Sequence, residues 1–322
     1  MVKIIIWNVQ GALGADFNRY FRLFVHLHKP DIFAVIEPRI SGAKADSFIR
    51  RSGFQASYRV EASGFSGGIW VLWNHSLSVD VVAISSQFVH SFISIPGINK
   101  SFFFMFVYAS PTPAFRSTLW NQLLALIPDT NWSWALGGDF NVIADCSERS
   151  GGSQRRLGVC RLFKDFLFSS CLMDMGFHGS IYTWQRGDLL QRLDRFLCSP
   201  NWYDHFPNSE VVHLQRLGSD HCPILLNIDR NMPHLSSRPY RFISAWNLHP
   251  QFHEFLSGVW NEEMSLKDNI LAFQKESNDW NANVFGHIGK RKAFLLARIR
   301  GIERVLSRNE SFSLEFGERI KK

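Results

Sequence analysis

Trp132-Ser133-Trp134-Ala135-Leu136-Gly137-Gly138 runs directly into Asp139-Phe140-Asn141. The run is apolar and too short for a helix, so it reads as a buried strand. Two glycines remove side chains just before its end and permit a close approach by substrate. In extended geometry, residues two apart point to one side. Asp139 and Asn141 are therefore expected to project together from the end of the strand. A carboxylate beside an amide can orient a water and hold a phosphate oxygen. An ordinary Asx turn after a strand is the bland alternative.

Similar short runs recur on both sides of this one, at Val2–Trp7, Asp31–Glu37, Gly68–Trp73, Val79–Ile84, Phe102–Tyr108, Arg192–Cys198 and Cys222–Ile228. Glycine, proline, serine and asparagine punctuate them. Helical spacing of apolar residues appears at Phe17–His28, Phe115–Ile127 and Cys160–Ser169. Many strands with few helices, and no strict βαβ alternation, predict an α+β fold: a sandwich of two facing sheets with helices outside. This domain is expected to span 1–228. Residues 229–242, with Pro233, Ser236, Ser237 and Pro239, read as a linker. Residues 243–322 read as a helical extension, with helices at Pro250–Asn261, Leu266–Asn283 and Gly289–Arg308, the last strongly basic.

Other strand ends also carry polar residues. Asn8 follows the first run, where an asparagine is most often a turn residue. Glu37 ends a run that should be buried, and a carboxylate there needs a cation, a metal or hydrogen-bond donors. Leu217-Gly218-Ser219-Asp220-His221-Cys222-Pro223 precedes the last run. Three adjacent residues cannot form a Ser–His–Asp relay, because each side chain must reach the next through space. His221 paired with a carboxylate from elsewhere suits acid–base chemistry better. Asp194, within Arg192-Leu193-Asp194-Arg195, is the natural partner.

Taken in order, Trp7-Asn8, Glu37, Val107-Tyr108, Gly138-Asp139-Phe140-Asn141, Arg192-Leu193-Asp194-Arg195 and Ser219-Asp220-His221-Cys222-Pro223 resemble the endonuclease/exonuclease/phosphatase superfamily over residues 3–228. Ser66-Gly67-Gly68-Ile69, Ala109-Ser110-Pro111, Glu148-Arg149-Ser150-Gly151-Gly152 and Ile181-Tyr182-Thr183-Trp184 resemble the apurinic-type endonuclease of plant LINE (non-LTR) retrotransposons. The tail, with Phe242 to Trp246, Trp280-Asn281 and Val284-Phe285-Gly286, resembles the segment leading to a reverse transcriptase, of which these 322 residues hold no motif.

The resemblance implies a four-layer, DNase I-like sandwich with mixed sheets, and hydrolysis of a DNA phosphodiester to leave a 3′-hydroxyl nick. It implies a Mg2+ cofactor, with Mn2+ as the substitute, held by Glu37, Asn8 and Asp220. Asp139 would position or activate the attacking water, Asn141 would stabilise phosphoryl oxygens, and Tyr108 would touch the scissile phosphate. His221 would act as base or phosphate ligand, oriented by Asp194. Asp220 would complete the metal or water network. Asn8, Thr183, Trp184 and Ser219 would be further substrate contacts. Related repair nucleases carry an acid where Gln10 stands. A hairpin at Gln185–Gln191, flanked by Trp184, Arg186 and Arg192, could enter a groove and stack on bases; Trp184 as a core residue is the alternative.

Composition is that of a globular protein, and its basic balance suits either a polyanionic partner such as nucleic acid or ordinary solubility charge. The chain is 46% hydrophobic with a net charge of +7. Residues 1–228 hold 20 Lys/Arg against 17 Asp/Glu, while 229–322 hold 15 against 11, so the basic excess is denser in the extension. Five cysteines without a C-x-x-C pair predict reduced thiols in an intracellular protein, with nucleus favoured over cytoplasm. The first residues are too short an apolar run for a secretory signal, and no run reaches the length of a membrane helix. A monomer without membrane association or a small-molecule cofactor is expected, with DNA as partner. Two competing readings remain open: a phosphatase or phosphodiesterase of the same fold acting on small phosphoesters, and a catalytically unused transposon remnant that binds nucleic acid.

Overall fold

A computed structural model describes residues 2–62, 67–129, 131–152, 160–228, 246–247, 249–280 and 284. The chain divides into two compact units, Met1–Pro233 and His234–Lys322.

The strands of the first unit are β1 (Val2–Asn8), β2 (Ile32–Ile36), β3 (Ala56–Val60), β4 (Ile69–Trp73), β5 (Ser78–Ser85), β6 (Phe88–Ile95), β7 (Lys100–Tyr108), β8 (Trp134–Asp139), β9 (Arg149–Ser150), β10 (Met173–Asp174), β11 (Trp184–Arg186), β12 (Leu189–Gln191), β13 (Asp194–Cys198), β14 (Glu210–His213) and β15 (Ile224–Ile228). Its helices are α1 (Ala15–His28), α2 (Gly42–Arg51), α3 (Pro113–Ala125), α4 (Arg161–Ser170) and the short α5 (Trp202–His205). One six-stranded sheet has the order β14-β15-β1-β2-β4-β3 and the other β10-β13-β8-β7-β6-β5. Each contains one parallel pair, β1 with β2 and β7 with β8, among antiparallel neighbours. Both sheets are therefore mixed.

Side-chain alternation along the strands builds the layers. Ile4, Ile6, Ala34 and Ile36 pack against Phe104, Phe106, Ala135 and Phe196 of the opposite sheet. Their neighbours Ile5, Trp7, Phe33 and Val35 face Phe17, Phe21 and Phe48 of α1 and α2. Met105, Val107 and Leu136 face Leu119, Trp120, Phe163 and Phe166 of α3 and α4. The result is helix, sheet, sheet, helix, the four-layer sandwich expected from the sequence.

β3, β6, β9, β10, β14, α2 and α5 escape the apolar pattern, and two of them show why. β6 buries His90 and Ser91 in the sheet, and these polar residues mask its strand character. α2 buries only Ala45 and Phe48, too narrow a stripe to read as an amphipathic face. In the second unit, α6 (Phe252–Val259) and α7 (Leu266–Trp280) enclose Trp246, Phe252, Phe273 and Trp280. The expected linker at 229–242, the basic helix Gly289–Arg308, Ser66 and Phe285-Gly286 lie outside the described residues. Among the described residues no helix is long and apolar enough to cross a membrane.

Candidate active site

Strand direction brings distant polar residues to one rim of the sandwich. In the parallel β7–β8 register Tyr108 lies beside Asp139. β13 runs antiparallel to β8, so its first residue, Asp194, sits directly opposite Asp139. β1 ends at Asn8, beside Ile36 of β2. β15 runs antiparallel to β1, which returns the segment before it, including His221, to the same end. Asn8, Tyr108, Asp139 and Asp194 share the face of Ile6, Phe106, Ala135 and Phe196, the face between the sheets. Alternation alone would send Glu37 to the other face. Its φ of 56° breaks the strand geometry and turns the carboxylate back toward Asn8. Gln10, Arg39 and Asn141 also have positive φ at this rim, so four of the seven such non-glycine residues among the described residues gather here. Backbone strain of this kind collects where a geometry is imposed for chemistry.

A continuous polar chain crosses the rim. Asn8 Nδ2 donates to Glu37 Oε2 at 3.1 Å and to Asp139 Oδ2 at 2.9 Å. Its Oδ1 accepts the Gln10 N–H at 3.1 Å, and the opposite amide orientation would set oxygen against two carboxylates. Asp139 Oδ1 accepts the Asn141 N–H at 2.8 Å, and Oδ2 accepts Asn141 Nδ2 at 3.0 Å. His221 Nε2 lies 3.9 Å from Asp139 Oδ2, while Nδ1 is bonded to Asp194 Oδ2 at 2.9 Å.

Two buried carboxylates facing each other across a ladder repel, and His221 between them offsets that repulsion. Burial alone would lower the imidazole pKa, but Asp194 first and Asp139 next outweigh it and hold His221 at about 9. Burial pushes Asp139 up to about 7, reinforced by Asp194 and opposed by His221 and by the N–H donors of Asn141 and Asn8. At neutral pH His221 is thus an imidazolium, a donor rather than a ready base.

The oxygen ligands at the rim suit a hard divalent cation, which takes one or two carboxylates together with water and phosphate. Glu37 is a nearly buried carboxylate that fits this requirement; Asn8, expected as a second ligand, instead turns its N–H groups toward Glu37 and Asp139 and bridges them. Asp139, Asp194 and His221 also bring ligand atoms within 4.8 Å of one another. Their mutual bonding and the charged ring make that trio an ion-pair relay first. Asp220 is engaged separately: its Oδ2 accepts Gln10 Nε2 at 2.8 Å and Trp184 Nε1 at 2.9 Å. Gln10 therefore provides a neutral donor to Asp220, where an acid would confront it.

Several expected substrate contacts occupy different places. Thr183 is fully buried, and its Oγ1 accepts the N–H groups of Leu193 and Asp194, each at 3.0 Å. It clamps the start of β13 and does not face solvent. The Ser219 hydroxyl donates to Asn8 O at 2.8 Å and accepts the His221 N–H at 3.1 Å, stitching the His221 segment to β1. Both Asn141 amide hydrogens are committed, to Asp139 and to Ala109 O at 2.8 Å, so a phosphoryl contact requires giving one up. Tyr108 is buried at the end of β7.

The expected hairpin forms from β11 and β12, with Trp184 half-buried and Arg186 over its ring at 5.5 Å. Trp184 is neither core nor free: its indole N–H holds Asp220. Arg192 is corrected from a groove-facing base to a buried ion-pair member, bonded to Glu148 at 3.0 Å and Asp174 at 2.7 Å. Arg195 joins the same network through Glu148 at 2.8 Å. This network and Arg39, paired with Glu37, are site-supporting features that residue type alone did not signal.

Thr183→Val should leave two buried N–H groups without an acceptor and destabilise the first unit by about 2 kcal/mol or more. Thr183→Ser should stay close to the parent. Denaturant midpoints measure the difference, and a valine variant as stable as the serine one would refute the clamp.

Residues 5–221 match the family model described as Endonuclease/Exonuclease/phosphatase family. Solved structures share the fold. AP endonuclease LMAP from Leishmania major aligns with a TM-score of 0.57 at 17% identity, over 70% of this chain and 86% of that one. The endonuclease domain of TRAS1, a telomere-specific non-LTR retrotransposon, aligns with a TM-score of 0.52 at 16% identity, over 70% and 97%. The 3′ phosphatase NExo from Neisseria, bound to a product DNA hairpin, aligns with a TM-score of 0.54 at 18% identity, over 71% and 100%. No curated protein sequence matches the chain.

Proposed function

Because the chain belongs to the endonuclease/exonuclease/phosphatase family, we propose that it is a Mg2+-dependent DNA endonuclease of LINE retrotransposon origin that leaves a 3′-hydroxyl nick. The observation that carries this reading is the unbroken chain Glu37–Asn8–Asp139–His221–Asp194 at one rim of the sandwich. It combines a cation-binding carboxylate, a base and a charged donor within a few ångströms. The hairpin bearing Trp184 and Arg186 stands beside it, an aromatic and a cation of the kind that contact bases and phosphates. The retrotransposon endonuclease and the DNA-bound phosphatase among the similar structures support DNA as substrate.

In this reading Asp139 orients the attacking water and accepts its proton. His221 Nε2 donates to a phosphoryl oxygen as negative charge builds there, and Asp194 keeps the ring charged and aligned. The water oxygen bonds to phosphorus, the P–O3′ bond breaks, O3′ leaves with the bonding electrons and takes a proton from solvent, and the products are a 3′-hydroxyl and a 5′-phosphate. Glu37 would hold a Mg2+ or Mn2+ ion, which supplies Lewis-acid polarisation of the phosphoryl group, whereas Asn8 Oδ1 is taken by the Gln10 N–H and Asp220 is held by Gln10 and Trp184. Asn8 spaces the two carboxylates, and Asn141 fixes the orientation of Asp139.

Purified protein should nick supercoiled plasmid in Mg2+, with loss of nicking in EDTA and in His221→Ala. Equal nicking by that variant would sink the roles assigned here. Soluble phosphoesters and phosphoinositides tested beside DNA separate the nuclease from a phosphatase of the same fold: faster turnover of a small phosphoester would favour the phosphatase. Absence of turnover on every substrate would favour a binding remnant.

A further inference from the structure

Glu37 is already paired with a cation supplied by the protein itself. Arg39 donates to its Oε1 from Nε at 2.9 Å and from Nη2 at 2.5 Å. The arrangement is built into the backbone. Glu37 and Arg39 both adopt left-handed conformations, with φ of 56° and 55°, and Pro38 between them has little freedom of its own. The segment is tied on both sides: Glu37 N–H to Gly68 O at 3.0 Å, Arg39 N–H to Gly67 O at 3.3 Å, and Ala12 N–H to Pro38 O at 2.8 Å. Residues two apart in a regular strand would also share a side, but here two inversions of the chain turn both side chains onto each other at the rim. Among the described residues, Glu37 is the hydrogen-bond and ion-pair partner of the Arg39 side chain. The Arg39 side chain remains 38% exposed, against 11% for Glu37. The carboxylate is thus covered while the guanidinium has an open side.

We infer that Arg39 competes with the divalent cation for Glu37 and is drawn off by a phosphodiester, so that metal and nucleic acid bind cooperatively. A metal ion on Glu37 Oε1 would stand in contact distance of the guanidinium, and two cations cannot share that oxygen without strong repulsion. Metal entry on Oε1 requires Arg39 to leave. A phosphodiester at the exposed rim offers it a substitute partner, and a guanidinium fork matches phosphate oxygens in geometry and charge. Linkage is reciprocal: if substrate relieves the competition, it raises metal affinity by the factor by which metal raises substrate affinity. The protein alone would then be a poor metal binder, and the charged centre would assemble on the substrate. This inference rests on the assignment of Glu37 as the metal carboxylate.

The test measures Mn2+ binding, not turnover, by electron paramagnetic resonance of the free ion. The titration is run with and without a phosphorothioate DNA duplex that resists cleavage. Without DNA, Arg39→Gln should bind Mn2+ about tenfold more tightly than the parent, and Arg39→Lys, which keeps the charge, should stay within about threefold of it. DNA should tighten Mn2+ binding about tenfold in the parent and far less in Arg39→Gln. An Arg39→Gln variant that binds Mn2+ no more tightly than the parent, or DNA coupling equal in both, overturns the inference. Adding Glu37→Gln separates the two levels. If Mn2+ binding survives that change in either background, the metal assignment itself fails. If Glu37→Gln abolishes binding while Arg39→Gln fails to tighten it, only the competition is wrong.

Discussion

Asp194→Asn should lower kcat/KM for plasmid nicking near neutral pH by about a hundredfold to ten-thousandfold, and should move the alkaline limb of the pH profile toward acid. The active form needs Asp139 as a carboxylate and His221 as an imidazolium. Asp139 has its pKa raised to about 7, so activity rises with pH as it loses its proton. His221 has its pKa raised to about 9, so activity falls as pH passes that value and the ring becomes neutral. The parent profile is therefore a bell between about 7 and about 9. Asparagine can still accept from Nδ1 through its oxygen, so the ring keeps its bond. What it loses is the neighbouring negative charge that holds the imidazolium against burial. Burial then prevails and the alkaline limb moves down. Asp139 feels both changes in opposite senses, since the Asp194 charge raises it and the His221 charge lowers it more strongly, so the alkaline limb carries the signature. A variant with an unmoved alkaline limb would show that Asp194 only packs against the ring. A fall in rate with both limbs in place would point to misalignment of His221.

The parts of this centre that sequence reveals are those carried by residue type at a strand end. Asp139, Asp194 and His221 interrupt apolar runs at places where burial makes a charge conspicuous, and Glu37 is conspicuous for the same reason. The layers were legible because alternation on both faces of the strands leaves nearly continuous apolar runs. What stayed hidden depends on the sign of φ or on distant partners. Nothing in Glu37-Pro38-Arg39 announces that two non-glycine residues invert the chain, yet that inversion decides where the carboxylate points. Arg192 beside a hairpin looks like a groove contact until Glu148 and Asp174, 44 and 18 residues away, are brought against it. Thr183 looks like a surface hydroxyl, but the two backbone groups it serves follow ten and eleven residues later. Gln10 stood out as a missing acid. The structure shows what the amide does instead, which is to donate to Asp220.

The largest stability effect is expected at a glycine, and it shows why the Gly137-Gly138-Asp139 stretch decides fold and site together. Gly138→Ala should cost about 4 kcal/mol or more and sharply lower the yield of soluble protein. Gly138 has a φ of 145°, a conformation that L side chains rarely adopt. A Cβ there would stand 1.9 Å from Val107 O and 2.8 Å from Val107 C, both backbone atoms of the paired strand β7. Backbone in a six-stranded sheet cannot step aside without breaking its ladder. Moving Val107 would also displace Tyr108, which lies beside Asp139. Gly137→Ala is a useful contrast. Its Cβ would meet the Phe196 ring at 2.4 Å and Ile6 Cδ1 at 2.8 Å, which are side chains. Those can repack, at a cost of about 1–3 kcal/mol. Denaturant midpoints and soluble yields should therefore rank the parent above Gly137→Ala and Gly137→Ala above Gly138→Ala. The reverse order would mean that the β7–β8 ladder yields more easily than the core between the sheets. The left-handed backbone at Gly138 would then have no part in holding Asp139 against His221.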